Sequence, residues 1–220
     1  MLFQQGRYDE ADPLYKRAAE INEKLLGPDH PRIATDLNNR AELWKAQGKY
    51  EEADPLYHRV QEILRATVGE EHPNYASALN NRAVLLSKQA KYDEAQPLFE
   101  RALAIRENAL GTDHPDTITS RAWMADLYTK QGLLDKASPL WQDALSAYER
   151  VHGPDHPNVA SALNNRARLL SAQGKHDEAI PLMERAAAIR TEKLGEGHPE
   201  TVRTQKRLED ERSKQEAPKG

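Results

Sequence analysis

The sequence contains no cysteine, which excludes disulfides, thiolate metal centres and cysteine nucleophiles. Aromatic residues are scarce, at 6% with two phenylalanines, and hydrophobic residues reach only 38%. That is thin for one round core and sufficient for a narrow, elongated one. No apolar run approaches the roughly 20 residues that cross a bilayer. The opening MLFQQGRYDEAD lacks the basic-then-apolar order of a secretion signal, so the expected location is the cytoplasm, with no membrane partner. Positive charge is not in excess: 31 Lys and Arg face 35 Asp and Glu, a net charge of -4 over 220 residues. A mildly acidic chain suits sequence-independent nucleic-acid binding poorly, since that needs clustered basic charge. Also missing are a G-x-x-x-x-G-K phosphate loop, a cofactor fingerprint and any paired acid–base constellation. Neither an enzyme nor a cofactor is expected.

What the chain does contain is a repeat. His-Pro recurs at His30-Pro31, His72-Pro73, His114-Pro115, His156-Pro157 and His198-Pro199, each step 42 residues. The same step relates Gln5-Gly6-Arg7-Tyr8, Gln47-Gly48-Lys49-Tyr50, Gln89-Ala90-Lys91-Tyr92, Gln131-Gly132-Leu133-Leu134 and Gln173-Gly174-Lys175-His176. Proline alone gives a third series: Pro13, Pro55, Pro97, Pro139 and Pro181. A unit of fixed length without insertions is one that stacks on copies of itself.

Each unit reads as two helices. The first opens at a proline, whose missing N–H is harmless at a helix N-terminus. It carries Leu37, Ala41 and Trp44 on one stripe, and Gly48 closes it as a left-handed cap. The second carries Ala53, Leu56, Tyr57, Val60, Ile63 and Leu64 at helical spacing and ends at Gly69. Pro55 falls inside this second helix, where proline ordinarily removes a hydrogen bond. Its recurrence marks it as a tolerated early kink, with the helix starting at Tyr50 or later. Neither helix can bury its stripe alone, but stacked hairpins can.

The expected organisation is the second helix of a truncated repeat over 1–28, four complete repeats over 29–197, a capping helix over 198–213 and a disordered tail over 214–220. In the last helix Glu209 stands where Ala41 stands in the first. The abrupt start suggests a fragment of a longer array, with Leu2 and Phe3 left partly uncovered.

Leu37 to Arg59, LNNRAELWKAQGKYEEADPLYHR, followed by a Gly-x-x-His-Pro close, resembles the 42-residue tetratricopeptide repeats of kinesin light chain. The resemblance covers about residues 2–212. It implies an all-α fold, a right-handed superhelical solenoid of antiparallel helix pairs, used as a protein-binding scaffold. It implies also a concave groove that receives an extended peptide, with Asn residues on the peptide backbone and basic residues on acidic side chains. The matching Asn are Asn38, Asn80 and Asn164, and the third unit departs with Ala122. A second departure is Arg40, Arg82 and Arg166, where such repeats usually have Leu. Similar arrays follow nucleotide-binding NB-ARC modules, so a sensor fragment of a larger nucleotide-dependent switch is an alternative. A self-stacking array, associating through exposed end repeats, is another.

The helical wheel places Thr35, Glu42 and Lys45 on the face of Asn38, and Ser77 and Ser161 at the equivalent place in units two and four. This face is small and polar, fit either for a guest backbone or for plain solvation. Lys45 and Arg168 are the candidates for acidic side chains. Trp123, where other units have Asn39, Asn81 and Asn165, could anchor an apolar side chain or pack on the next unit. The first helices of the four units sum to +5 against the chain's -4, so the partner expected is a protein or peptide of acidic, extended character. Arg40, Arg82 and Arg166 are accompanied twelve residues later by Glu52, Glu94 and Glu178, whereas the third unit has Met124 and Lys136. Intra-unit ion pairs Arg40–Glu52, Arg82–Glu94 and Arg166–Glu178 are therefore expected. The five His-Pro histidines, one per unit, are too far apart to share a metal, and the Asp29-His30-Pro31 loop reads as turn and N-cap chemistry.

Overall fold

A computed structural model describes residues 6–216, which form helices joined by short turns and, among the described residues, no strand. The helices divide between two compact units, Met1–Gly111 and Thr112–Gly220. The first unit holds α1 (Tyr8–Leu26), α2 (Pro31–Ala46), α3 (Tyr50–Thr67), α4 (Pro73–Lys88) and α5 (Tyr92–Leu110). The second holds α6 (Pro115–Lys130), α7 (Leu134–His152), α8 (Pro157–Ala172), α9 (His176–Leu194) and α10 (Pro199–Glu216). Even-numbered helices are the first helices of the 42-residue unit; odd-numbered ones are the second.

The repeat markers are the helix punctuation. In each His-Pro pair the histidine is the N-cap. Nδ1 of His30, His72 and His156 accepts the backbone N–H two residues on at 3.1, 3.0 and 3.1 Å. His114 and His198 do the same, each at 3.2 Å. One orphan donor of the first turn is thereby satisfied. Asp29 is not the cap; it pairs instead with Arg59 at 2.5 Å. At the other end Gly48 takes φ +77°, the left-handed conformation that glycine adopts without steric cost. Ala90 holds the same place in the second marker with φ +59°, where its Cβ is unfavourable.

The recurrent proline does not break the second helices. α3 runs continuously from Tyr50 through Pro55 to Thr67, and α1, α5, α7 and α9 do the same through their own prolines. The bond lost is the one to the carbonyl of Glu51 in the first turn, and both residues are exposed.

The core is a chain of three-helix contacts. Ile33 and Ala34 of α2, Val60 and Ile63 of α3 and Ala78 of α4 form one buried cluster. Ala41, Ala53, Tyr57 and Leu85 form the next, edged by Trp44, Tyr50 and Leu56. In the second unit Ala167, Leu170, Ala179, Met183 and Leu208 join α8, α9 and α10. Ala41, Ala83, Ala125 and Ala167 all have 0% exposure, because the two helices of a pair approach too closely there for a larger side chain. α10 has exposed Glu209 at that position, so its outer side is polar.

Two expectations are corrected by this packing. The capping helix does not stop at residue 213: α10 continues to Glu216, so Lys214 and Gln215 belong to it. Residues 217–220, the remainder of the expected tail, lie outside the described residues, as do Leu2 and Phe3.

The second correction concerns the arginines of the first helices. Arg40 Nε donates to Asp12 Oδ1 at 2.9 Å. Arg82 donates from Nε and Nη2 to Asp54 at 2.7 and 3.2 Å. Each arginine reaches back to the second helix of the preceding pair, not forward to Glu52 or Glu94. The first helix presents its Arg to the groove between pairs, whereas Glu52, Glu94 and Glu178 lie exposed in the first turn of the second helices. Arg40 also stacks on Trp44, 4.2 Å from the ring centroid. Arg166, with Ser138 at the Asp54 position, forms no ion pair among the described residues, with Glu178 or otherwise. The markers seal the same interfaces: Gln47 Nε2 donates to Asp9 Oδ1 at 2.9 Å, and Gln89 Nε2 to Glu51 Oε1 at 3.2 Å.

Candidate functional site

Each unit contains a cleft between consecutive first helices, floored by the second helix between them. In the first unit the cleft is about 330 Å³, walled by Thr35 and Asn38 of α2 and Ser77 and Asn81 of α4, over Val60 and Leu64 of α3. In the second unit the equivalent cleft is about 280 Å³, walled by Thr119, Trp123 and Asp126 of α6 and Ser161 and Asn165 of α8, over Trp141 and Tyr148 of α7. Thr35, Ser77, Ser161 and Trp123 therefore line clefts, as does Asn38. Trp123 is half-buried, and with it the second cleft has an aromatic wall that the first lacks.

The three asparagines do not behave alike. Asn38 is half-buried, and its Oδ1 accepts from Asn81 Nδ2 at 2.9 Å, across the cleft mouth. Asn80 and Asn164 have 0% and 4% exposure. They sit one residue short of the cleft wall, inside the helix packing, and are closed to a guest chain. The accessible amides are those of the next residue, Asn81 and Asn165, since a step of one residue turns a helical side chain by about 100°.

Lys45 is engaged. Its Nζ is 2.5 Å from Glu42 Oε1 and lies 5.6 Å from the Tyr57 ring centroid. Tyr57 donates to the same Glu42 oxygen at 2.5 Å. Burial, together with the Glu42 charge and this hydrogen bond, pushes the Tyr57 hydroxyl far above its ordinary value. Arg168 bonds Asn165 Oδ1 at 3.2 Å and is 3.8 Å from Asp126.

The second helices carry residues that sequence reasoning missed. Leu64 and Tyr148 floor the two clefts, and the equivalent positions of the other second helices hold Asn22, Arg106 and Arg190. Arg106 Nη2 donates to Ser77 Oγ at 2.9 Å, and Arg190 Nη2 to Ser161 Oγ at 3.4 Å. The Tyr148 hydroxyl lies 3.3 Å from Thr119 Oγ1. Arg190 also reaches Thr204 on the following first helix, as Asn22 reaches Asp36 at 2.5 Å. The signal was present as covariation: polar Asn22 and Arg190 face polar Asp36 and Thr204, whereas Leu64 and Tyr148 are followed at that spacing by Ala78 and Ala162.

A third cleft, about 380 Å³, lies between α8 and α10 in the second unit, with Arg168, Ser171, Arg207, Asp210, Glu211 and Lys214 around it. Burial lowers the Arg207 guanidinium pKa from its ordinary value, and the positive charges of Arg168 and Arg203 lower it further, against the smaller opposing effect of Glu200. Arg190 is likewise lowered, by burial and by Arg207 and Arg203, against the opposing effect of Glu200. Among the described residues, no group of three or more His, Asp or Glu side chains is placed to hold a metal ion. No described helix is long and apolar enough to cross a membrane.

The geometry can be set beside known proteins. A tetratricopeptide repeat family model matches residues 1–53, 37–108, 76–122, 118–192 and 161–218. A crystal structure of nearly identical tetratricopeptide-like repeats, assigned to a kinesin light chain of Podosopora anserina, is 26% identical, with a TM-score of 0.71 over 88% of this chain and 92% of that one. BtubC (BKLC) from P. vanneervenii is 20% identical, with a TM-score of 0.80 over 94% of this chain and 84% of that one. The tetratricopeptide protein YrrB, described as having an unusual peptide-binding site, is 18% identical, with a TM-score of 0.53 over 93% and 87%. The last two likenesses concern the fold alone. No curated protein matches the chain. The 42-residue period, the helix pairs and the match along nearly the whole length agree: the chain belongs to the tetratricopeptide repeat family, and its repeats are of the kinesin-light-chain-like kind.

Proposed function

We propose that the chain is a non-catalytic scaffold that binds an extended, acidic segment of another protein along the clefts between its first helices. The observation that carries this reading is the recurrence in both units of a cleft with Thr, Ser and Asn on its walls over a hydrophobic floor, to which the second unit adds Trp123 and Asp126. Such walls offer hydrogen bonds to a guest backbone, and the floor takes alternate side chains. Thr35, Asn38, Ser77 and Asn81 would hold the backbone in the first unit; Ser161 and Asn165 would do so in the second. Trp123 would supply the apolar anchor, since a half-buried aromatic at a cleft wall gives large contact area at low entropic cost. Arg168, which lines the α8–α10 cleft, would bias the guest towards acidic side chains. Lys45, neutralised by Glu42, contributes less than its charge suggests.

The test is selection of peptides from a random library on the immobilised chain and on the double variant Thr35→Glu, Asn158→Glu. Both positions are exposed and line the clefts, so the added charge repels an acidic guest without disturbing the core. Enrichment of one acidic motif on the wild type, and its loss on the variant, is expected. No enrichment, or enrichment indifferent to both changes, overturns the reading.

A further inference from the structure

α10 continues the wall built by the earlier first helices but changes its chemistry. Arg203 occupies the place of Thr35, Ser77, Thr119 and Ser161; Lys206 that of Asn38 and Asn80; Arg207 that of Asn39, Asn81 and Asn165. Uncharged positions have thus become cationic on one helix. Arg168 of α8 stands across the cleft from Arg207, and buried Arg190, held by Ser161 and Thr204, adds its charge behind them.

The carboxylates nearby do not balance these charges. Arg190 and Arg203 share a single one, Glu200, at 3.7 and 2.8 Å. Asp126 is 3.8 Å from Arg168 but closer to Lys130, at 2.8 Å. Glu211 is taken by His176, Ser171 and Lys214. Asp210 lines the cleft but is exposed and makes no ion pair with Arg207. Arg207 is partly buried beside Arg168 and Arg203, and the carboxylate that acts on it, Glu200, does so from beyond ion-pair range and is already shared by Arg190 and Arg203. Holding guanidinium groups together in this way is unfavourable until an anion arrives, and a cleft is open between them to admit one.

We propose that the α8–α10 cleft is an oxyanion site that receives a phosphorylated side chain of the segment bound along the clefts, clasped between Arg168 and Arg207. This rests on the peptide-binding reading above. A single carboxylate offers one charge and two oxygens. A phosphate offers nearly two charges and three acceptor oxygens, enough to bridge guanidinium groups on two different helices.

The test uses a probe with almost no backbone, so that it fails or succeeds independently of groove binding. N-acetyl-O-phosphoserine methylamide is titrated into the labelled full chain while the arginine Nε–Hε signals are followed by NMR. The aspartate analogue and inorganic phosphate are titrated in parallel. Saturable shifts confined to Arg168, Arg203 and Arg207 are expected, with phosphoserine binding about tenfold or more tighter than aspartate. Arg207→Gln should weaken it about tenfold, and Arg207→Lys, which keeps the charge but not the two-pronged geometry, by less. Shifts spread equally over exposed Arg101 and Arg150, parity between aspartate and phosphoserine, or indifference to both Arg207 variants would overturn the site. Inorganic phosphate binding more tightly than phosphoserine would overturn its assignment to a protein segment. If this test fails while the library selection succeeds, the clefts stand and only the phosphate is removed.

Discussion

His176 Nδ1 donates to Glu211 Oε1 at 2.7 Å, and neither residue has a counterpart in the other repeats. Glu211, 2% exposed, stands where Leu43, Leu85, Leu127 and Leu169 are buried; His176 stands where the others have tyrosine or leucine. Ser171 and Lys214 complete the carboxylate's partners at 2.8 and 3.1 Å. An apolar contact between pairs has been exchanged for a polar clamp that fastens α10.

This clamp makes the last helix sensitive to acid. Burial works to raise the Glu211 pKa, but the hydrogen bonds from His176, Ser171 and Lys214 outweigh it and hold the carboxyl below its ordinary value. A depressed carboxyl contributes stability that is present above its unfolded-state value and lost as pH falls through the folded one. Urea unfolding between pH 7 and 3 should therefore show a steeper loss for the wild type than for Glu211→Leu combined with His176→Tyr. At neutral pH, Glu211→Ala alone should cost about 1–3 kcal/mol, because it leaves partly buried partners unsatisfied. Equal acid slopes for wild type and double variant would refute the clamp.

The Arg82–Asp54 pair joins successive helix pairs within the first unit with two hydrogen bonds. A double-mutant cycle with Arg82→Met and Asp54→Asn should give a coupling of about 1 kcal/mol, at the upper end for partly exposed pairs. The same cycle with Glu94→Gln in place of Asp54→Asn should give none. Coupling to Glu94 would restore the intra-unit pair that the structure replaces.

Ala90 is the one non-glycine residue at positive φ among the described residues. Its equivalents Gly48, Gly132 and Gly174 adopt the same conformation without a Cβ. Ala90→Gly should raise stability by about 1 kcal/mol, reversing the usual sign of an Ala-to-Gly change. Thermal unfolding gives the answer, and a lower melting temperature would contradict it.

The histidine caps predict a further acid effect at His156. Its ring stacks on His152 with centroids 4.4 Å apart, and its Nδ1 must be unprotonated to accept from Asn158 N–H. Burial, and then the neighbouring His152, hold its pKa below the ordinary histidine value. The neutral form is therefore favoured by folding, and stability falls as pH drops from the unfolded-state value through the folded one. Amide protection at the first turn of α8, taken relative to the intrinsic exchange rate, should fall over that range in the wild type. In His156→Asn, which caps without titrating, it should not.

Most of the fold is legible in the sequence. The 42-residue step, the proline at each first-helix start and the glycine after most helix ends fix the helices of the described residues and their order, because capping and left-handed conformations are local properties of a few residues. Leu37, Ala41, Tyr57 and Val60 identified the buried stripes for the same reason: side-chain direction follows from helical period alone. The candidate site was legible only to the nearest helix face. Thr35, Ser77 and Ser161 do line clefts, whereas Asn80 and Asn164 are one residue too far round, a rotation that propensity cannot resolve.

The sequence by itself determined the period, the helix pairs and, to within one residue's rotation, the face each residue occupies. Only the tertiary structure decided which neighbour that face meets. Arg40 finds Asp12 and not Glu52, Arg190 finds Ser161 and Thr204, and Glu211 finds His176. These partners lie on other helices, and their meeting depends on how far one helix slides and tilts against the next. That is set by the fit of whole surfaces, such as the alanine contacts that bring the paired helices close, rather than by any single residue's preference.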